Sequence, residues 1–260
     1  MSSPNTLYRD PVLLDRTKHR GLRLKRSEGV AFAANLNSVF VAVTEFPEAC
    51  KEYVIGFVPA GDTKDAQGRP EVSPIALLGL RDNENLFVDP DGQWNARYVP
   101  AFIRRYPMGY ANTGEGQTSV MIDNAFEGFN PSEGELLVQA DGEPAPFLQD
   151  VIKFLDNFEV EVQRTRQLCE RIVELDLLKP VTIDITQGDG ATFSAGGVMM
   201  IDEAKLKALP EAVVVELTRN GALGLLHAHL ISTSNVQRLT ERLAKVIAAP
   251  VPPVAASVLN

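Results

Sequence analysis

The spacing of apolar residues changes character near residue 147. Before it, apolar positions come in short β-branched or aromatic runs between turn residues; after it, a long stretch carries them at helical spacing. Residues 39–43 (V-F-V-A-V), 53–58, 74–80, 85–88 and 118–122 read as strands, and D-P-D-G at 89–92 as a tight turn. Thr44 reads as the cap of a helix over 45–52, because Glu45, Pro47 and Glu48 suit a first turn. That helix is too short for a comfortable crossover between parallel strands, which argues against a doubly wound sheet. The polar run A-G-D-T-K-D-A-Q-G-R-P-E at 60–71 predicts an exposed loop, and the Pro-, Gly- and acid-rich 130–146 predicts an internal boundary.

From 147 to 175, Val151, Ile152, Leu155, Phe158, Val162, Leu168, Ile172 and Leu175 trace one stripe of a long core helix. V-T-I-D-I-T at 181–186, a Q-G-D-G turn at 187–190 and a return ending at Asp202 predict a hairpin. Asp202 is placed to cap the next helix, Pro210 to open another at Glu211, and Gly221 to interrupt it before helices over 222–231 and 235–248. The fold class that follows is α+β: a strand-rich N-terminal part with a short central helix, then a long helix, a β-hairpin and a C-terminal helical cluster. The divisions expected are a basic arm at 1–28, a strand-rich part of the core at 29–146, a helix, hairpin and helical part at 147–249, and a tail at 250–260, in one integrated domain.

One stretch stands out against this pattern: Y-V-P-A-F-I-R-R-Y-P-M-G-Y at 98–110, where aromatics, adjacent arginines and bracketing prolines coincide. Pro100 suits a first helical turn and Pro107 cannot continue one, so a short rigid helix is expected between them. Tyr98, Phe102 and Tyr106 fall at i, i+4 and i+8 and share a face if the helix reaches back to Tyr98. Trp94, the only tryptophan, extends that aromatic wall. Such stripes are more often core than recognition surface. Arg104 and Arg105 lie about 100 degrees apart on a helix, so one can face inward to a carboxylate while the other meets solvent or an anionic ligand. The candidate ligand-binding residues are therefore Trp94, Tyr98, Arg104, Arg105 and Tyr106, set against a purely structural inward salt bridge.

Composition changes the picture only in part. A 260-residue chain with 45% apolar and 23% charged residues can bury a substantial core. A formal net charge of -9 argues against nucleic acid and anionic membrane surfaces as partners. The basic run Arg16, Lys18, His19, Arg20, Arg23, Lys25 and Arg26 is a local exception, read as a solvated arm that packs its aliphatic stems. Cys50 and Cys169 lack ligand spacing and are expected to be reduced and structural. Neither a secretory signal pattern nor an apolar run of roughly 18 residues is present, so a cytoplasmic protein without a membrane span is expected.

Catalytic signatures are weak. His227 and His229 are two apart, about 200 degrees on a helix, and point to opposite sides; one buried and one exposed histidine, with no metal site, is the expectation. The glycine-rich pieces at 112–117 and 195–197 lack a G-x-G-x-x-G or Walker context, and no nucleophile elbow surrounds Ser132, Ser194, Ser232 or Ser234. No cofactor is indicated.

The quoted 98–107 motif, with A-A-N-L-N-S-V-F and E-F-P-E-A-C-K-E-Y before it, and G-G-V-M-M-I-D-E-A-K-L-K-A-L and G-A-L-G-L-L-H-A-H-L-I-S near the end, resembles the bacterial SapC family over nearly the whole chain. This family is associated by name with a surface layer and is distinct from the like-named peptide-transporter permease, which needs membrane spans. The resemblance implies a bacterial protein encoded near outer-membrane nutrient receptors, cupin-like proteins and halogenase-like flavoproteins, without an assigned activity. Three functional classes stay open. The leading expectation is a soluble accessory or ligand- and peptide-binding protein of a nutrient-uptake or protein-modification system, with a peptide, or a halogenase-like or cupin-like neighbour, as partner. The others are an enzyme acting on a small acidic or peptide substrate, using Asp202, Glu203 or Tyr106 with an arginine, and a surface-layer-associated structural protein.

Overall fold

The computed structural model describes residues 7–64, 68–114, 117–186 and 192–248. In chain order the N-terminal half contains β1 (Pro11–Leu13), β2 (Arg23–Leu24), β3 (Ser38–Phe40), α1 (Phe46–Ala49), β4 (Val54–Lys64), β5 (Pro70–Leu77) and α2 (Ala101–Arg104). It continues with β6 (Met108–Gly114), β7 (Gln117–Asp123), β8 (Phe129–Asn130) and β9 (Glu135–Leu136). The rest contains α3 (Pro146–Glu174), β10 (Leu178–Thr186), β11 (Thr192–Ile201), α4 (Glu203–Lys207), α5 (Glu211–Arg219), α6 (Ala222–Ser232) and α7 (Asn235–Ala248). The architecture is α+β, as the pattern predicts.

A five-stranded antiparallel sheet, ordered β10-β11-β4-β5-β3, forms the larger core. α3 packs beside β5, and α6 packs against β4 and β11. Tyr53, Ile55 and Phe57 are fully buried. A smaller core gathers Leu24, Met108, Ile122, Leu137, Val138 and Leu148 under two three-stranded sheets, β1-β7-β6 and β8-β2-β9. α3 serves both cores: Leu148 near its start belongs to the smaller one, Leu168 and Ile172 to the larger.

Several local expectations match. α3 carries the long apolar stripe and starts on Pro146. The Asp202 carboxylate accepts from the Ala204 N–H at 3.0 Å and caps α4. Gly221 precedes α6 at φ +82°, the left-handed region that a residue with a Cβ avoids. His229 is fully buried while His227 is exposed.

Others are corrected. The polar stretch at 60–71 is not simply a loop: β4 and β5 extend into it and pair as far as Lys64 and Pro70. Main-chain pairing continues there although the polar side chains give no alternating signal. Residues 85–88 are not a strand. The buried Asn85 side chain instead donates to the Ala33 carbonyl at 2.9 Å and accepts from the Phe87 N–H at 2.9 Å. The helix expected from 45 shrinks to the single turn of α1, preceded by a 3-10 turn at Val43–Glu45; Thr44 does not cap it. The basic N-terminal stretch is partly built into the fold, with β1 paired to β7 and β2 held between β8 and β9. In the acidic 130–146 segment, Leu137 and Val138 are fully buried. The turn expected at 187–190 and the tail at 250–260 lie outside the described residues.

Candidate functional site

The site begins with α2, a single turn too short to be stable alone. Pro100 stands at its N-cap position, and Ile103 and Arg104 donate their N–H groups to the Pro100 carbonyl at 2.9 and 3.1 Å. The turn is held from below by Glu45. This buried carboxylate accepts from the Ala101 N–H at 2.8 Å and the Tyr98 hydroxyl at 2.6 Å on one oxygen, and from the Ala42 N–H at 2.8 Å on the other. Burial, and secondarily the Glu45 charge, raises the Tyr98 pKa well above its ordinary value, so the phenol stays a donor.

Because the helix starts at Ala101, Tyr98 lies before it and the three aromatics do not form one helical face. Trp94 and Tyr98 belong to the supporting layer. The Trp94 indole N–H points to the Tyr53 hydroxyl at 2.9 Å and the Tyr98 carbonyl at 3.1 Å, and the Tyr53 hydroxyl donates to that same carbonyl. Trp94 also stacks on Phe87, with centroids 6.2 Å apart.

Arg104, Arg105 and Tyr106 do come together, on one wall of a cleft of about 570 Å³. Its other walls come from the stretch after β2, from Phe126, and from Phe147, Asp150, Val151 and Phe154 at the start of α3. The cleft lies where the two cores meet: Ile103 and Tyr106 belong to the larger, Leu24 and Met108 to the smaller.

The inward salt bridge expected of one arginine is not what holds them. Neither Arg104 nor Arg105 has a carboxylate partner among the described residues. Aromatic rings take that place. The Arg105 guanidinium sits 4.1 Å from the Phe102 ring centre, 5.0 Å from Phe158 and 5.8 Å from Tyr8. Arg104 lies 5.4 Å from Phe154 and 6.0 Å from Tyr98, and its Nε donates to the Val99 carbonyl at 3.0 Å. A planar, weakly hydrated guanidinium tolerates such stacking, each contact contributing roughly 0.5–2 kcal/mol. The stacking orients the cation without neutralising it. The Arg105 Nε is buried and has no hydrogen-bond partner among the described residues.

Tyr106 is fixed between rings, 4.1 Å from Phe32 and 5.5 Å from Phe126. Its hydroxyl donates to Asp123 at 2.8 Å. Burial, then Asp123, pushes its pKa up to about 12, which keeps it protonated at neutral pH. Asp123 itself is fully buried and accepts N–H bonds from Arg9, Asp10 and Ala125 at 3.1, 2.8 and 3.2 Å. Burial alone raises its pKa; those three N–H groups and the Tyr106 hydroxyl outweigh it and hold the carboxyl below the usual value.

Arg26, Phe32, Phe126, Phe147 and Phe154 also line the cleft, and the sequence reading did not single them out as site residues. For α3 a usable signal existed: Phe147, Val151 and Phe154 fall at i, i+4 and i+7, a stripe that borders the core-facing one and shares Val151 with it. Arg26 was visible only as the last member of a charge run. Asp202 and Glu203 do not line the cleft; they pair with Lys179 at 3.6 Å and Lys207 at 2.7 Å beside α4.

Among the described residues no helix is long and apolar enough to cross a membrane, and no three His, Cys, Asp or Glu side chains are grouped to hold a metal ion. No curated protein and no solved structure matches the chain. One family model does match, covering residues 14–239 and with it α2, the cleft and most of both cores. The chain belongs to the SapC family.

Proposed function

We propose that this protein is a binding protein, an accessory to nutrient uptake or protein modification, and that its cleft takes a ligand with an anionic group on an apolar body, such as a peptide or a modified side chain. The observation that carries this reading is the Arg104–Arg105 pair, stacked on aromatic rings and without a carboxylate partner among the described residues, on the wall of a largely apolar cleft. A guanidinium oriented by stacking keeps terminal N–H donors for a planar anion, and the walls of carbon atoms select an apolar body beside it. The Tyr106 hydroxyl is committed to Asp123 and its pKa is raised, so this residue offers the cleft its ring rather than a base. The family membership supports the accessory role through the setting that the sequence resemblance implies.

The test is a thermal-shift and calorimetric screen of aromatic carboxylates, phosphates and short acidic peptides against the wild type, Arg104→Ala and Arg105→Ala. Ligands are expected to bind the wild type and to lose about ten- to a hundredfold in affinity on Arg105→Ala, the range of charge-assisted hydrogen bonds. Binding left intact in both variants, with both folded, overturns the site. Turnover of any screened compound by the wild type overturns the purely binding role.

A further inference from the structure

A second cleft, of about 640 Å³, adjoins the first. The rings of Phe32, Tyr106 and Phe126 line both, as do Arg26 and Ser27, so the two clefts meet at these residues. The two differ in chemistry. The first is walled mainly by carbon, with Arg104 and Arg105; the second adds Arg9, Lys25 and Glu127. Lys25 pairs with Glu133 at 2.7 Å and Asp150 of the first cleft with Lys153 at 3.0 Å, both pairs open to solvent. Arg26 has no carboxylate partner among the described residues and instead sits 5.1 Å from the Phe147 ring centre. On a chain of net charge -9, this is a local concentration of unneutralised arginine.

The rim distinguishes among possible ligands. The main chain is anchored at Lys25, whose N–H donates to Gly128 at 2.9 Å, and again at Val30, whose N–H donates to Gly92 at 2.7 Å. Between these anchors Arg26, Ser27 and Glu28 are exposed and make no backbone–backbone hydrogen bond among the described residues. These residues are not a strand edge, but their main-chain groups lie open at the mouth of the clefts, where the amides of a polypeptide can meet them and a small anion offers none.

Building on the binding role of the first cleft, we infer that the two clefts form one groove for an extended polypeptide segment of a partner protein, in which an aromatic or large aliphatic residue neighbours an acidic one. The segment's main chain hydrogen-bonds to the strip at Arg26, Ser27 and Glu28. Its apolar side chain enters the first cleft beside Arg104 and Arg105. Its carboxylate meets Arg26 where the clefts join. Alternate residues of an extended segment point to opposite sides, so adjacent positions suit this division.

A randomised hexapeptide library displayed on phage is panned on the full chain, and the selected peptides are titrated by fluorescence polarisation. The wild type is compared with Arg26→Glu, Ser27→Pro and Arg105→Ala, with 3-phenylpropionate as a small-anion probe. Expected are a consensus with an acidic residue directly next to an aromatic or large aliphatic one, a loss of about tenfold or more on Arg26→Glu, and a loss of about fivefold on Ser27→Pro, which removes one rim N–H. Thermal melts confirm that these rim variants fold. Absence of a consensus, or peptide binding insensitive to both rim variants, overturns the groove. If 3-phenylpropionate binds with Arg105 dependence while the rim variants change nothing, the groove falls and the single-cleft site stands. If neither probe depends on Arg105, both fall.

Discussion

Arg105 and Asp123 show two ways in which this fold keeps a charged group inside. Arg105 is surrounded by rings that orient it and leave its charge available; Asp123 is surrounded by donors that consume its lone pairs. The difference predicts opposite mutational signatures. Asp123→Ala strands three N–H groups and the Tyr106 hydroxyl in a buried site, and is expected to lower unfolding stability by about 2–4 kcal/mol in urea titrations. Arg105→Lys keeps the charge and loses the planar stack. It is expected to melt close to the wild type while weakening ligand binding nearly as much as Arg105→Ala, a split read by combining thermal melts with titration.

At the scale of elements, the site depends on segments that do not stand alone. α2 is one turn, and its first free N–H is bound by Glu45 from another part of the chain. Glu45→Ala releases that N–H, the Ala42 N–H and the Tyr98 hydroxyl together. A stability loss of about 2–3 kcal/mol is expected from chemical denaturation, with faster amide exchange at Ala101 than elsewhere in the larger core. β2 is two residues long and leads directly into the rim. Gly134 closes over it at φ +88°, and a Cβ there would come within 2.2 Å of the Leu24 carbonyl oxygen. Gly134→Ala is therefore expected to shift β2, lower the melting temperature, and reduce affinity through Arg26 although residue 134 is outside the cleft. An unchanged melt and affinity would show that β2 is not what positions the rim.

For the whole molecule, pH provides a reading of how the layers are joined. His229 on α6 accepts the Ile201 N–H of β11 at 3.0 Å through Nε2, and burial lowers its pKa from 6.5 to about 4. The unfolded chain then binds this proton first, so stability is expected to fall as pH drops from about 6.5 toward about 4. Asp123, with its pKa lowered, adds stability above its ordinary value of 3.8 that is lost as pH falls below it. Unfolding titrations across pH 3–8 on the wild type and His229→Gln separate the two windows, since the variant is expected to remove only the upper one.

What the sequence by itself determined is what depends on neighbours along the chain. The α3 stripe, the Asp202 cap, the glycine before α6 and the divergence of His227 and His229 all follow from helical geometry and short-range hydrogen bonding, and the motif at 98–107 marked the arginines. Tertiary structure decided the rest. The pairing of β4 with β5 through polar residues is a main-chain matter with no side-chain period, and the core contribution of Leu137 and Val138 is hidden in acid- and glycine-rich text. The cleft has no linear signature, because Arg26, Phe32, Phe126 and Phe147 meet the arginines only where two cores join. Whether a guanidinium ends against a carboxylate or against a ring is set by which side chains the fold brings within a few ångströms, and here it brought Phe102, Phe154 and Phe158.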